Sequence, residues 1–572
     1  MTRPPLELLA QAHAWIDGDP DPATRAELLA LLEAGDLAAL AERLQPLAFG
    51  TAGLRGAVGA GSGRMNLAVV TRAAYGIAQY LLQQPPGAPT PIVIGFDARP
   101  TSRAFAEASA GVLLAAGFPV VAFSGPAATP LCAFLGRELA AAITIVVTAS
   151  HNPRGDNGYK VYGRDSVQIV SPVDTEIARQ IALAPAARAV PRASVSFAEA
   201  PGKGLTLIQP EALDSYFKAV SAAIPAQLGA RDLLIVHSAL HGVGTAPMRR
   251  TLADAGFTRV HVVAAQAEPD GTFPTTPFPN PEEPGTLDLA LAEGEQRGAA
   301  LLLVNDPDAD RLAAAARLEG KLSVLDGNQV GALLADHLLS RRSAPPRSLV
   351  VSSIVSSPLV ELMANARGAH SERTHTGFKW LWHAALELER RGVGSFCFAY
   401  EEALGYSVFP AVRDKDGISA GRALAELSAA LAQRGATLFD RLHELYVAHG
   451  LWASAAHNLA LAGSAASLAT LLDRLSSLEE LQIGGSRATR VIDYRVGAAE
   501  RPAWLGIAPL LELQLEDDSR LFVRPSGTEP KLKLYAHVKR TITPHSHLAS
   551  SLQNARRGAA ALLQELAALL QR

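Results

Sequence analysis

Cysteine is nearly missing from this chain. Cys132 and Cys397 are the two among 572 residues, too few for a disulfide framework or a multi-cysteine zinc site, and in keeping with a reducing compartment. Both read as small buried hydrophobes. A basic surplus is missing as well: 52 Lys plus Arg stand against 55 Asp plus Glu, a formal charge of −3. That balance excludes a whole-chain cationic surface for nucleic acid or anionic lipid. No stretch approaches the roughly 20 apolar residues of a membrane span. MTRPPLELLAQAHAWIDGDPD, at the start, meets acidic residues before any continuous apolar segment, so it does not read as a signal peptide. Fixed-period repeats of the solenoid kind are absent too. The expectation is a cytoplasmic protein, a monomer or small homo-oligomer, with neither nucleic acid nor membrane as partner.

What the chain does hold is apolar material. Hydrophobic residues make up 48% and charged residues 19%, which suits packed cores and argues against long disorder. At about 150 residues per domain the length suggests roughly four. Short apolar runs lead straight into polar loops. PIVIGFD (91–97) precedes a helical pattern that closes at Gly117; AITIVV (142–147) precedes TASHNPRGDNGYK; LLIVHS (233–238) precedes ALHGVG; AALLLVN (299–305) precedes DPDADR; SFCFAY (395–400) precedes EEALGYS. Strands apolar throughout, alternating with amphipathic stretches, indicate α/β layers with buried, partly parallel sheets. Ligands collect at the carboxyl ends of such strands, so these loops are expected to face one cleft. The Pro/Ala/Gly-rich stretch 184–204 reads as a domain linker and 341–348 as a loop before SLVVSSIV. Beyond 450–470 an Ala/Leu/Ser-rich region runs to the strand SRLFV (519–523) and a final Ala/Leu-rich helix.

Asp306, Asp308 and Asp310 stand on alternate residues of one loop. Such a density of negative charge is costly unless a hard cation neutralises it, and all-oxygen ligation suits Mg²⁺ or Ca²⁺. A solvated acidic turn is the plainer reading, since an Asp triple at this spacing arises by chance in roughly one chain in twenty. An EF-hand is excluded, because Arg311 and Arg317 stand where its loop wants Gly and Glu. Arg311 beside the carboxylates suggests that an anion joins the metal. TASHNP places Ser150 at the exit of a strand, flanked by His151 and Asn152; a serine there needs a base or a metal-assisted role to become a nucleophile. There is no GxSxG elbow, which speaks against an α/β-hydrolase. The same loop continues through Asn157-Gly158 to Lys160, a possible acid, base or phosphate contact.

Other loops carry anion-binding side chains, each unremarkable by itself. FGTAGLRG (49–56) brings Arg55, HTGFKW (375–380) brings Lys379, RDKDG (413–417) brings Arg413 and Lys415, and EEALGYS (401–407) pairs Glu401 with Glu402. RPSGTEPKLK (524–533) is a donor-dense loop with Arg524, Ser526, Gly527, Thr528 and Lys533, suited to a phosphate dianion that is held and not transferred. HGVG (241–244) reads as a close-backbone turn without chemistry of its own.

In this order, FGTAGLRG, TASHNP with NGYK, DPDADRL, TGFKW, EEALGY, RDKDG and RPSGTEPKLK resemble the α-D-phosphohexomutase superfamily over residues 49–533. The likeness is greatest to the branch of longer phosphoglucomutase, phosphomannomutase and phosphopentomutase-type proteins. The resemblance implies a heart-shaped α/β protein of four domains: three related mixed-sheet α/β domains and a C-terminal α+β domain that clamps phosphate. The expected limits are 1–204 with the phosphoserine loop, 205–320 with the metal loop, 321–452 with the sugar loop and 453–572 with the phosphate loop. It also implies that Ser150 is phosphorylated and that Mg²⁺ bridges it to Asp306, Asp308 and Asp310, with Arg311 just outside that ligand set. Arg55, His151 and Lys160 match the phosphoryl-transfer site. Thr376, Gly377, Lys379, Glu401, Ala403 and Lys415 match positions that meet the sugar phosphate, and Arg524, Ser526, Gly527, Thr528 and Lys533 match the distal phosphate clamp.

The implied reaction interconverts a sugar 1-phosphate and 6-phosphate, of glucose or mannose, through phosphoserine and a bound bisphosphate, with a sugar 1,6-bisphosphate as activator and the last domain closing as a lid. One position departs from the glucose-preferring pattern. Those relatives commonly read EES where this chain has Glu401-Glu402-Ala403, so a hydroxyl that would bond the sugar is lost, and such a loss changes discrimination. The alanine resembles the phosphopentomutase and bisphosphate-synthase side of the branch. A pentose-phosphate mutase is therefore the nearest alternative, a Mg²⁺-dependent sugar phosphatase the next, and a non-catalytic sugar-phosphate binding protein the last.

Overall fold

Apolar strands framed by amphipathic helices build this chain, seen here in a computed structural model that describes residues 5–48, 53–85, 90–226, 229–341, 347–460, 471–473, 475, 481–525 and 531–571. Its contacts divide it into two compact units, Met1–Ala315 with Gly405–Glu426, and Ala316–Leu404 with Leu427–Arg572.

The first unit opens with three helices that the sequence patterns did not single out: α1 (Pro5–Gly18), α2 (Pro22–Glu33) and α3 (Leu37–Arg43). Asp21 and Asp36 start the second and third by accepting the Ala23 and Ala39 amides, the usual role of an aspartate at an N-cap. Leu8, Leu28, Leu40 and Leu44 form their shared core. They grip the loop that follows β1 (Leu54–Ala57): Glu27 accepts from the Ala60 amide at 3.0 Å, and the Gly63 amide donates to Arg43 O at 2.7 Å. Next come α4 (Leu67–Leu82), β2 (Ile92–Phe96), α5 (Ser102–Ala115), β3 (Val120–Phe123), α6 (Thr129–Glu138), β4 (Ile143–Val147), β5 (Asp156–Tyr162), α7 (Val173–Ala182) and β6 (Leu205–Ile208). The six strands run in the order β1-β5-β4-β2-β3-β6, parallel along β4-β2-β3-β6 and antiparallel where β5 joins β4 and β1. Phe96 pairs with Val147, so the residues after these strands, Asp97 and Thr148, emerge side by side.

Residues 184–204, expected to be a linker, run mostly exposed from 191 onward and are held to the first sheet's helices at a few points. Val190 and Phe197 are each 3% exposed, and the Ala193 amide donates to Gly111 O in α5; two apolar anchors are enough to hold such a stretch against the domain.

After α8 (Asp214–Ala223), the strands β7 (Ile235–Ser238), β8 (Val260–Val262) and β9 (Leu301–Asn305) pair in parallel, with α9 (Thr245–Asp254) and α10 (Asp288–Arg297) as crossovers. Ser238 faces Val304, which brings HGVG and DPDAD out together. The strand β10 (Leu312–Leu318) leads out of this unit.

In the second unit, β11 (Lys321–Leu325) and the wholly buried helix α11 (Gly327–Leu339) precede a parallel trio, β12 (Ser348–Ser353) between β13 (His370–Thr374) and β14 (Ser395–Glu401). The helices α12 (Pro358–Ala366) and α13 (Phe378–Arg390) connect them. Gly405–Glu426, which opens with β15 (Gly405–Ser407), belongs to the first unit and α15 (Leu438–His449) to the second, α14 (Gly417–Gln433) carrying the chain back. The C-terminal part is a different fold: an antiparallel sheet of β16 (Leu451–Ala460), β17 (Gln482–Ile483), β18 (Ser486–Asp493), β19 (Leu511–Leu515), β20 (Arg520–Pro525) and β21 (Lys531–Arg540), covered by a final helix, Leu548–Gln571. Among the described residues no helix is long and apolar enough to cross a membrane. Cys132 and Cys397 are free and buried.

Candidate active site

Four loops at the carboxyl ends of β2, β4, β7 and β9 meet in the first unit. The turn after β4 carries Ser150, which is 3% exposed. Its Oγ donates to Asp306 Oδ2 at 2.6 Å and lies 3.2 Å from His151 Nδ1. With its one hydrogen committed to Asp306, Ser150 Oγ accepts from His151 when Nδ1 bears the proton. Two residues meet across distant parts of the chain here, since Ser150 and Asp306 are 156 apart in sequence.

Asp306, Asp308 and Asp310 are all buried, and one oxygen of each lies within 4.8 Å of the others. Lys160, on β5, places Nζ 2.7 Å from Asp308 Oδ2 and 2.8 Å from Asp310 Oδ2. Lys415 approaches Asp310 Oδ2 to 3.3 Å, so the structure brings this residue to the carboxylates. Asp308 Oδ1 and Asp310 Oδ1 remain buried without a hydrogen-bond partner. Orphaned buried acceptors are costly, and a hard divalent cation with oxygen ligands relieves that cost. The donor set fits one.

The charges of these groups follow from burial and neighbours. Burial, then the adjacent Asp308 and Asp310 carboxylates, push the Asp306 carboxyl well above the usual range. Burial also pushes Asp308 up, but the Lys160 ammonium and hydrogen bonds from Lys160, Thr129 and Asp306 outweigh it and hold Asp308 below. Lys160 is opposed by burial and raised by Asp308, Asp310 and Asp414, the net being upward, so it stays protonated. His151 lies well below its ordinary value through burial and then the cations Arg311, Arg55, Lys160 and Lys415. It is a neutral imidazole at neutral pH.

Arg55 on β1 donates Nη1 to Asn152 Oδ1 at 3.0 Å, tying the first strand to the serine turn. The Arg311 amide donates to Asp306 Oδ1 at 3.0 Å, and its side chain reaches Glu282 at 3.2 Å. Phe49–Ala52 of FGTAGLRG lie outside the described residues. The HGVG turn braces the aspartate loop: the Val243 amide donates to Pro307 O at 2.9 Å, and a side chain at Gly242 would run into the Pro307 backbone. Only glycine allows the two loops to touch so closely.

Several supporting residues were not foreseen. Thr129, at the start of α6, donates Oγ1 to Asp308 Oδ2 at 2.7 Å and its amide to Asp308 O at 3.0 Å. Thr148 Oγ1 accepts from the Ser150 amide at 2.9 Å and donates to Asp97 Oδ2 at 2.7 Å. Arg99 packs beneath the same turn. The one available signal was Asp97, an acid closing an apolar parallel strand, where side chains face the ligand end of the sheet.

The second unit holds the other group. The Gly377 amide donates to Glu401 Oε1 at 2.7 Å, and Gly377 has φ +112, a left-handed value that favours glycine. Arg524 Nη1 donates to Thr376 Oγ1 at 2.5 Å. Lys533 stands opposite Arg524 in the β20–β21 pairing. Lys379 is 8% exposed, its Nζ 5.7 Å from the Trp380 ring. Glu402 accepts from Ser353 and Ser356 Oγ at 2.8 and 3.0 Å, and Ala403 lies half-buried just beyond β14. Ser526, Gly527 and Thr528 lie outside the described residues.

Sequence profiles described as phosphoglucomutase/phosphomannomutase match residues 46–187 (alpha/beta/alpha domain I), 214–319 (domain II), 326–448 (domain III) and 498–541 (C-terminal domain). A Haemophilus influenzae protein named "Probable phosphomannomutase" is 36% identical over 484 residues, covering 83% of this chain and 93% of the relative. The Homo sapiens phosphopentomutase is 33% identical over 524 residues, with 86% and 84% covered. Among solved structures, a phosphoglucomutase/phosphomannomutase family protein from Burkholderia thailandensis superposes with a TM-score of 0.64 at 21% identity, covering 90% of this chain and 97% of that one.

Proposed function

The chain belongs to the phosphoglucomutase/phosphomannomutase family, and from that premise we propose that it moves a phosphoryl group between the C1 and C6 hydroxyls of a glucose or mannose phosphate by way of Ser150. The observation that carries this reading is Ser150 Oγ at 2.6 Å from a buried aspartate triad with two orphaned oxygens. Asp306, Asp308 and Asp310 would hold Mg²⁺, which supplies charge neutralisation at the transferring phosphoryl group.

The side chains then divide the work. Phosphorylated Ser150 loses its P–O bond as the sugar hydroxyl forms a new one. The proton released by that hydroxyl goes to a neutral base, a role His151 suits because its imidazole is uncharged. Serine Oγ leaves as an alkoxide and is reprotonated from a group kept charged, as Lys160 is by Asp308 and Asp310. Arg55 offsets charge on the phosphoryl oxygens. The bisphosphate turns end for end and returns its other phosphate to Ser150, while burial of the centre keeps water from the phosphoserine. Thr376, Gly377, Lys379, Glu401, Ala403 and Lys415 position the sugar phosphate, and Arg524, Lys533 and the 526–528 loop hold the distal phosphate. A sugar 1,6-bisphosphate primes Ser150 in the first instance.

A second reading, a pentose 1-phosphate to 5-phosphate mutase, rests on Ala403, which offers the sugar no hydroxyl, and on the human relative's name. The near-neutral charge and two free cysteines support a cytoplasmic setting with no nucleic acid or membrane partner; we take the protein as a monomer or small homo-oligomer, and domain limits near 204, 320 and 452 are supported by the gaps between the matched profiles. The test is intact-mass analysis with phosphosite mapping, then a coupled assay on glucose, mannose and ribose 1-phosphates with Mg²⁺ and a bisphosphate primer. Phosphate on Ser150 and isomerised product are expected. Inorganic phosphate appearing faster than isomer would replace the mutase by a phosphatase.

A further inference from the structure

The turn that presents Ser150 is strained. Ser150 sits at φ +51, a left-handed conformation that a residue with a side chain keeps only where its surroundings hold it there. Those surroundings converge on Arg99, 51 residues earlier in the chain and 3% exposed. Its guanidinium donates to four main-chain carbonyls of the turn. Nη2 reaches Ser150 O at 2.7 Å and Asn152 O at 2.6 Å; Nη1 reaches Pro153 O at 2.8 Å and Asp156 O at 2.9 Å. Nε lies 3.2 Å from Asp97 Oδ2, and the Phe273 ring covers the plane with its centroid 5.1 Å from Cζ. Asp97 completes a second tether to the same residue, through Thr148 Oγ1 to the Ser150 amide.

Both sides of the Ser150 peptide environment are thereby fixed, the carbonyl by Arg99 and the amide by Thr148. The planar five-donor fork of arginine is what makes four carbonyl bonds and an ion pair compatible; an ammonium has three donors in a compact head and cannot span them.

We infer that Arg99 is a positioning residue for phosphoryl transfer: it acts through the backbone of 150–156 and holds Ser150 Oγ against Asp306, so that loading and unloading of this serine depend on it. The inference rests on the phosphoserine reading above. Because the guanidinium of Arg99 is directed at main-chain carbonyls and at Asp97, its removal should disturb the attack geometry and leave recognition of the sugar alone.

The test uses Arg99→Lys, which keeps a cation beside Asp97 and loses the fork. Misplacing a nucleophile by about 1 Å is expected to lower kcat about 100-fold while KM moves by less than about threefold. The fraction of Ser150 phosphorylated by a bisphosphate primer falls, and amide hydrogen exchange of residues 148–157 quickens while the rest of the chain is unchanged. In Arg99→Ala, added guanidinium partly restores both kcat and slow exchange. Wild-type kcat and exchange in Arg99→Lys overturn the inference, and so does a loss spread evenly over kcat, KM and exchange throughout the chain. If Arg99→Lys does not fold, the double variant Asp97→Asn/Arg99→Gln, which leaves neither charge buried alone, is read by the same criteria. A wild-type protein without mutase activity or phosphoserine sinks the functional reading by itself, because exchange in the 148–157 turn is measured without turnover.

Discussion

Around Ser150 the nucleophile, the three aspartates and Lys160 are buried and fastened to one another, with His151 and Arg55 half-buried beside them, whereas around Arg524 and Glu401 most polar groups, Lys379 excepted, are half-buried and the ties run from strand ends to the 376–377 loop. Asp308 shows the first kind of construction: it receives Lys160 Nζ, Thr129 Oγ1 and the Thr129 amide. Arg524 with Thr376, and Glu401 with the Gly377 amide, show the second. The difference matches two kinds of work. Moving a phosphoryl group requires atoms fixed within a fraction of an ångström in a dry, low-dielectric place. Holding a bisphosphate that must bind in either of two directions requires donors that tolerate both, and solvent-facing side chains adapt more readily than a locked network.

Ser150→Ala strikes this contrast hardest. It removes the atom that carries the phosphoryl group, so turnover should fall on the order of 10⁴-fold or more. Affinity for the sugar phosphate, read by calorimetry, should stay within about threefold, since binding is assigned to Lys415 and to groups of the second unit, none of which the substitution removes. Substantial turnover by this variant, or a collapse of affinity along with rate, erases the division of labour. Arg524→Ala probes the other side. Losing a charge-assisted bond of about 1.5–3 kcal/mol should raise KM about 10- to 100-fold, with the phosphorylation of Ser150 by saturating primer little changed. A variant that binds normally but cannot be primed would place Arg524 with the transfer chemistry.

The same contrast explains what was legible in the sequence. Ser150 and the Asp306–Asp308–Asp310 triad stand on short loops directly after apolar strands, and adjacent chemistry on one loop is visible as a string. Asp97, Arg99, Thr129 and Thr148 do their work on partners 51 to 179 residues away or, for Thr148, by its hydroxyl turning back on the Ser150 amide. ARPTS reads as a helix start and TP as a helix N-terminus, both of which they are; nothing local distinguishes an arginine that will sit under a turn from one that will sit in water. Lys415 is a similar case. Its loop suggests an anion contact, and only the return of Gly405–Glu426 to the first unit brings it to Asp310. The helices α1–α3 are more than half apolar, but they pack on one another and on the loop after β1, whose sequence VGAGSG has no apolar period to reveal a partner.

A buried polar framework also has a pH cost that a solvated one lacks, and Asp416 measures it. This residue anchors the excursion that carries Lys415: it is fully buried, accepts from Tyr216 Oη at 3.0 and 2.9 Å, and receives the Ile418 and Ser419 amides. Burial outweighs these hydrogen bonds and raises its carboxyl to about 6, from 3.8. A raised acid favours the folded state when protonated, so its contribution is fully present below the unfolded value and is lost as pH climbs through about 6. Linkage puts the whole effect at about 3 kcal/mol, with roughly half of it lost between pH 5 and 7.5. Asp416→Asn keeps an acceptor for Tyr216 and cannot ionise. Its melting temperature should therefore gain on the wild type by about 2 °C as pH rises from about 5 to 7.5. Melting curves for the two proteins that shift in parallel across that range would show that Asp416 stays charged throughout, and that the first unit tolerates buried charge no worse than the second.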